Sequence, residues 1–446
     1  MNSENGFHPA HLRQRDAERL NGYRELLDFY HGSQWHGRER RGEKRLTFNY
    51  ARAFIEKAAS YLMSGVSFAV EPRHDTPDAR ARAVLAEAAL HRVYDENNLE
   101  QLDLETEIDC AILGDAAYKV IWDVVTRRVK VTAPDVQGIY TWRDADDLST
   151  VRRVASKYTL SNEVAAELYG ARSKGRKAAV VEVWTPADFQ LWVDDYQIEH
   201  KPNPYGFIPI IVYPNLREPK KPWGVSDLVQ VKETQRELNR AVSQLSRILE
   251  LSGNPIAVLE NVEESEDIAV APGAVWNVPD DAKAYLLDLL QGGGVRLHID
   301  YINLLYRILH DLSESPRAAF GGTDRDLSGV ALEMELQPLL QKMKRKRLIR
   351  TAIYNRRNTY ILKLLEKYEG ASFGDNHLRV VWGEVLPADT ARAVNNEQTL
   401  VQTGIHSRRR AMDEMGVQDP EAEFKRWLEE RALMLDQDVR RKGGCP

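Results

Sequence analysis

A chain of 446 residues is longer than one ordinary hydrophobic core serves, so several compact units are expected. Hydrophobic residues at 43% and charged residues at 29% supply those cores and exclude a disordered chain. A formal charge of -6 disfavours a protein that grips nucleic acid statically, because such binders carry a basic balance, but it is compatible with one that lets a duplex slide past.

The opening MNSENGFHPAHLRQRD is polar and lacks the apolar centre of a secretory signal, and no run approaches the roughly 18 apolar residues of a membrane helix. Synthesis inside a cell, with no membrane partner, is the expectation. Residues 12–30 repeat apolar positions at helical spacing, and HGSQWHGRERRGEKR follows as a basic, glycine-punctuated loop. A second helix starts near Asn49 and closes at Gly65. SFAVEP reads as a strand, 78–97 as a charged amphipathic helix, and the next segment as a helix ending near Gly114 that leads into a strand.

Between 116 and 214 the period becomes two. AYKVIWDVV, RRVKVTAP, VRRVASKY, AAVVEVWTP, FQLWVDD and FIPIIVYP read as strands, interrupted by one helix that opens on Ser161 and ends at Gly170. Beyond Gly224, the positions Leu228, Val231, Gln235, Leu238, Val242, Leu245 and Leu249 keep a three-four spacing over about three heptads, which predicts a long helix with a narrow seam. Residues 253–282 contain no Lys, Arg or His but carry Glu260, Glu263, Glu264, Glu266, Asp267, Asp280 and Asp281, and they read as a small acidic β excursion. Glycines 292–294 end it. A second helix over 295–312 shows a wide stripe through Leu297, Tyr301, Leu304, Leu305, Ile308 and Leu312.

AAFGGTDRDLSG then interrupts the helical pattern. Gly321 and Gly322 release the backbone, and Asp326 or Ser328 caps a new helix running to 369 with a kink at Pro338. Its middle, QKMKRKRLIR, sets Lys342, Lys344, Arg345, Lys346, Arg347 and Arg350 around much of the circumference. A strand, LRVVWGEV, and a charged helical C-terminal region complete the chain.

Catalytic motifs are missing. GARSKGRK places Arg176 where a phosphate-binding lysine would stand, and there is no His-Glu-x-x-His, Gly-x-Ser-x-Gly or Cys-x-x-Cys. Cys110 and Cys445 cannot make a disulfide framework or a four-ligand zinc site between them, and His298 and His310 read as packed or partly exposed side chains rather than ligands. Asp194 and Asp195 at a strand end read as a solvated turn, or else as part of a metal site in a nucleic-acid-processing enzyme. No catalytic residue, metal or cofactor is expected.

YHGSQW, then NYARAFIEKAASYLMSG with Asn49, Tyr61 and Gly65, then the approach to the first long helix with Gly224, Ser226, Asp227 and Pro255, and finally LSGVALEMELQPLLQKMKRKR occur in an order that resembles the portal proteins of tailed bacteriophages of the siphovirus type. The likeness covers nearly the whole chain. It implies a mixed α/β (α+β) multidomain portal fold with a wing, a two-helix stem, a small α/β clip, a kinked long helix with a tunnel loop, and a helical crown. It also implies a homo-oligomeric ring, usually of twelve subunits, at one vertex of the virion capsid. Such a ring passes double-stranded DNA during packaging and ejection, and meets the terminase large subunit, a head-tail adaptor, and the major capsid and scaffolding proteins.

On this chain the resemblance assigns 1–225 to the wing, 226–252 and 295–314 to the stem, 253–294 to the clip, 315–327 to the tunnel loop, 328–384 to the long helix and wing return, and 385–446 to the crown. Arg317, Gly321, Gly322, Thr323, Asp324, Arg325 and Asp326 would then line the narrowest constriction, with Arg317 and Arg325 offset by Asp324 and Asp326. The basic run from Lys342 to Arg350 is either a helix face tied to acidic neighbours or a set of phosphate or subunit-boundary contacts. Glu260, Glu263, Glu264, Glu266 and Asp267 either aid solubility or steer a basic surface of the packaging motor or adaptor. A seam and a stripe of this size bury more than one hairpin covers, so identical subunits are natural partners, and a repeated heterologous interface closes a ring. Another virion component, such as an adaptor without the long stem, is the remaining structural alternative.

Overall fold

In the computed structural model, which describes residues 8–171, 173, 175–253, 257–260, 283–286, 294–322, 329–383, 385, 390–417 and 420–442, the first predicted helix is two. After a 3-10 turn over Pro9–His11, α1 (Leu12–Arg15) and α2 (Ala17–Tyr30) are separated at Asp16, whose carboxylate pairs with Arg19 at 2.8 Å. The basic loop follows, mostly exposed apart from the buried Gln34. Asn49 opens α3 (Tyr50–Leu62) by accepting from the Arg52 amide, and Gly65 turns the chain at φ 63 into β1 (Val66–Pro72). Thr76 caps α4 (Pro77–Asn97), and α5 (Leu99–Leu113) ends on Gly114 at φ 93.

The β-rich stretch contains β2 (Asp115–Asp123), β3 (Arg128–Thr132), β4 (Ile139–Arg143), β5 (Val151–Ser161), β6 (Lys177–Trp184), β7 (Asp188–Val193), β8 (Tyr196–Pro202) and β9 (Ile210–Pro214). Helix α6 (Asn162–Tyr169) lies between Ser161 and Gly170, as expected. Strands β4 and β8 were not anticipated. Two antiparallel sheets result, one ordered β3-β2-β9 and one a meander β4-β5-β6-β7-β8.

The long helices are α7 (Lys232–Gly253), α8 (Gly294–Ser313) and α9 (Gly329–Glu369), with the short antiparallel pair β10 (Ala257–Glu260) and β11 (Lys283–Leu286) between the first two. Helix α7 starts at Lys232 rather than at 226, and α9 runs through Pro338. Residues 261–282 of the acidic excursion lie outside the described residues. Strand β12 (Asn376–Trp382) pairs antiparallel with β1, Phe68 opposite Val380.

One core joins α2, α3, α5, α7, the end of α8 and the inner face of the five-stranded sheet, through residues such as Phe29, Ile55, Leu228, Leu238 and Leu309. A second joins α4, α5, the three-stranded sheet and α9, through Leu90, Tyr118, Tyr213 and Ile361. Between them the chain crosses itself at two glycines. A side chain at Gly224 would put its Cβ 2.3 Å from the Gly114 carbonyl oxygen, so only glycine fits, and the Asn215 amide donates to that same carbonyl at 2.7 Å. This crossing sets the direction in which α7 leaves.

Residues 384–446 form a separate compact unit from 1–383. It holds α10 (Thr390–Gln402), α11 (Arg408–Glu414), capped by Ser407, and α12 (Pro420–Lys442). Arg408 lies over Trp427 and Arg409 over Phe424. Among its described residues none is fully buried. The fold is mixed α/β and multidomain.

Candidate functional site

The seam of α7 is not wholly apolar. Gln235, Asn239 and Ser243 lie one turn apart on its buried side, and each serves the extended backbone that precedes α3. Ser243 Oγ accepts from the Leu46 amide at 3.0 Å, Asn239 Oδ1 from the Phe48 amide at 3.0 Å and Gln235 Oε1 from the Ala51 amide at 3.2 Å. Gln235 Nε2 returns a bond to the Phe48 carbonyl at 2.7 Å, and Asn239 Nδ2 donates to Gln34. A strand without a sheet is thereby satisfied by one helix face. With Leu228, Val231, Leu238 and Ala241 also buried, the first half of α7 is sheathed by its own chain.

The far half of the helical pair is bare. Leu249 on α7 is 52% exposed, Leu297 on α8 is 72% exposed, and Ile299, Tyr301 and Leu304 are exposed too. Only towards its end does α8 sink, at Leu305, Leu309, His310 and Ser313.

The interruption after α8 is pinned at its root. Ser315 donates its amide to the His310 carbonyl, and His310 Nδ1 lies 2.5 Å from the Ser315 carbonyl oxygen, so the ring carries its proton on Nδ1. Its Nε2 is buried without a hydrogen-bond partner among the described residues. Burial pulls the His310 pKa below its ordinary value, which keeps the ring neutral among Phe54, Tyr306 and Phe320, all with centroids within 5.6 Å. Phe320 belongs to a 3-10 turn, Arg317–Phe320, that ends on Gly321 at φ 79. Arg317 folds back over Tyr306. Thus Arg317, Gly321 and Gly322 of the predicted constriction are placed, and Thr323, Asp324, Arg325 and Asp326 lie outside the described residues.

The basic run of α9 divides by depth. Lys342, Lys346 and Arg350, spaced by four, point into the protein and are almost wholly buried, which corrects any expectation that they touch phosphates or line a subunit boundary. Asp227 Oδ2 accepts from Lys346 at 2.6 Å and lies 3.2 Å from Lys342 Nζ, while Asn215 donates to Oδ1 at 2.9 Å. Burial alone would raise the Asp227 pKa, but the two ammonium groups overcome it and hold the carboxyl well below the usual range. Lys342 also donates to the Ser313 carbonyl at 3.1 Å, tying α9 to the end of α8. Arg350 makes a fork onto Glu107 at 2.8 to 3.0 Å and donates to the Pro214 and Asn215 carbonyls. Two turns on, Arg357 forks onto Asp103 and stacks against Tyr94, Tyr118 and Tyr354. Arg347 is also committed, donating to the Gly383 and Leu62 carbonyls. Arg345 pairs with Glu314 at the surface at 2.6 Å, and Lys344 is exposed.

Sequence reasoning missed Asp103 and Glu107 as the counter-charges. Their own spacing of four on a helix otherwise apolar on that side was the available signal, since an internal cation row needs an internal acidic row.

Of the acidic set, Glu260 is exposed and accepts from Tyr285 at 3.2 Å, whereas Glu263, Glu264, Glu266 and Asp267 lie outside the described residues. Asp194 occupies the β7-β8 turn at φ 52, where its carboxylate and amide bond both backbone groups of Ala179. Asp195 sits beside it in the turn, and Asp194 is committed to backbone geometry. Among the described residues no group of three or more His, Cys, Asp or Glu side chains converges as a metal site requires, and no helix is long and apolar enough to cross a membrane.

No curated protein matches this chain. A family model described as phage portal protein, SPP1 Gp6-like, matches residues 10–433, which takes in both compact units and every long helix above. The chain belongs to the SPP1 Gp6-like family of phage portal proteins.

Proposed function

We propose that this chain closes into a ring of identical subunits at one capsid vertex, conducts double-stranded DNA inward during packaging and outward during ejection, and docks first the terminase large subunit and then a head-tail adaptor. The ring does no chemistry itself; it is a channel and a platform. Within it, 1–225 serves as wing, α7 and α8 as stem, 253–294 as clip, 315–327 as the loop at the constriction, 328–384 as the helix returning to the wing, and 385–446 as crown.

The observation that carries the reading is the bare outer half of the stem pair. Leu297, Tyr301 and Leu304 share one face of α8 and, with Leu249 on α7, are exposed apolar positions, whereas Leu305, Leu309 and Leu238 further along the pair are buried. An exposed apolar band of this kind marks a partner surface, and a second copy that sets a different face of its own stem against it makes the heterologous contact that closes a ring. The family, structural rather than enzymatic, supports the same assignment. Beyond the stem, the interruption is anchored at its root through His310 and Phe320, and Gly321, at the αL position just past that anchor, is where a collar would hinge. Electron microscopy of negatively stained purified protein tests the reading. Closed rings with an axial hole are expected; a monodisperse monomer at all concentrations overturns it.

A further inference from the structure

We propose that the loop 214–224 and the end of β4 form a preformed binding site for a phosphate oxyanion. A cavity of about 300 Å³ is lined by Arg143, Arg217, Lys220, Lys221 and Trp223, with Glu218 as its one carboxylate. This site is independent of the portal reading.

Charge is the first argument. Arg143 is half-buried, and its Nη1 donates to the Leu148 carbonyl at 2.7 Å and its Nε to Thr141 Oγ1 at 3.3 Å, yet among the described residues it makes no ion pair. Asp115 is near enough to act on it electrostatically, but that carboxylate is occupied by the Tyr23 hydroxyl at 2.6 Å and the Gly224 amide at 2.8 Å. Across the cavity, Lys221 is neutralised by Glu218 at 2.7 Å. Arg217 and Lys220 have no such partner among the described residues, and Asp147, which feels Arg217, is tied to Ser149 and Thr150. Three cations therefore line one pocket with no carboxylate in ion-pair contact among the described residues, Asp115 and Asp147 acting on Arg143 and Arg217 only from a distance. Clustered cations repel one another, and an anion bound among them relieves that repulsion.

Geometry is the second. The loop is rigid before any ligand arrives: Arg217 and Gly224 pair as a β-bridge, Asn215 Nδ2 donates to the Val225 carbonyl at 3.0 Å, and the Val225 amide to Leu216 at 3.0 Å. Trp223 is held between guanidinium groups, Arg19 at 3.9 Å and Arg143 at 5.8 Å from the ring centroid. Guanidinium forks match tetrahedral oxyanions, and a preorganised loop spends little ordering itself on binding. The ligand is thus a phosphate group, borne either by a free phosphate or by a nucleic-acid backbone.

The test uses the assembled full-length protein. Inorganic phosphate is titrated calorimetrically at fixed ionic strength, and retention of a short DNA duplex is measured in the same buffer, for the native chain and for Arg217→Glu and Lys220→Glu. Both positions are exposed and unpaired, so the melting temperature without ligand stays at the native value. A loss of about tenfold or more in affinity for either probe supports the site, and which probe responds identifies the source of the phosphate. Equal binding by all three proteins for both probes, or heats that follow ionic strength with chloride as well as with phosphate, overturns it.

Discussion

The inner and outer halves of the α7-α8 pair share a helical type and an amphipathic pattern, but they differ in what covers them. The inner half is enclosed by α2, α3 and α5, with buried polar groups each matched to a backbone partner. The outer half shows apolar side chains to solvent and is covered only where the two helices lie against each other. A periodic apolar pattern therefore says that a face is buried, but not whether the same chain or another copy buries it. Stability of the protomer should reside in the inner half and association in the outer half, and that separation can be attacked.

The hardest blow to the inner half is Asp227→Ala. It leaves Lys342 and Lys346 buried without their carboxylate, at a cost of about 3–5 kcal/mol. Chemical denaturation should show the loss directly, and because Lys342 also holds the end of α8, protease sensitivity around Ser313 should rise with it. Stability within about 0.5 kcal/mol of the native chain would show that the cluster is not closed in solution.

Acid titration offers a second break at the same place. Burial pushes the Asp115 carboxyl up to about 6, only partly offset by its bonds from Tyr23 and Gly224. The folded pKa lies above the unfolded one, so native protein binds the extra proton, and stability declines as pH rises from about 4 to about 6, by roughly 2–3 kcal/mol in all. Asp115→Asn should flatten that segment of the melting profile. Asp227 acts with the opposite sign and lower down: its depressed pKa gives stability that is present above about pH 4 and fades only as pH falls further.

At the hinge, smaller effects on stability accompany larger effects on action. Gly321 stands at φ 79, where a β-branched residue is strained by about 1–2 kcal/mol, whereas Gly322 is hindered only by the flexible end of Arg317 at 3.3 Å. Replacing both with valine should leave rings visible by microscopy and reduce DNA packaged per procapsid. Undiminished packaging would remove the collar from the mechanism.

How much of this was legible follows the range of the interactions involved. Helix ends were readable because capping is local: Asn49, Ser161, Gly114 and Gly170 stand where expected. The start of α7 was not. Its three-four spacing runs back to Leu228, but the Asp227 amide and the Ser226 hydroxyl bond the Ala111 carbonyl at the end of α5, which holds that segment as turns. Strand β8 escaped notice because its mostly exposed, polar sequence lacks a buried alternate face. The cation row of α9 was misleading for a similar reason. Nothing near Lys346 or Arg350 in sequence announces Asp227, Glu107 or the burial they share, since those partners sit about 119 and 243 residues away.

The comparison is sharpest where the effect on the protomer is smallest. Leu297 and Leu304 are exposed positions on α8, so Leu297→Glu and Leu304→Glu should change protomer stability by less than about 0.5 kcal/mol. In a ring the same side chains meet another copy, and each interface would then bury a carboxylate without a partner, repeated at every contact around the circle. Analytical ultracentrifugation should show the double variant as folded monomers or open fragments at concentrations where the native chain is closed. If the variant instead assembles normally, the outer half of the stem does not carry the contact. If it unfolds, the division between an inner half that folds the chain and an outer half that joins it to its copies is wrong.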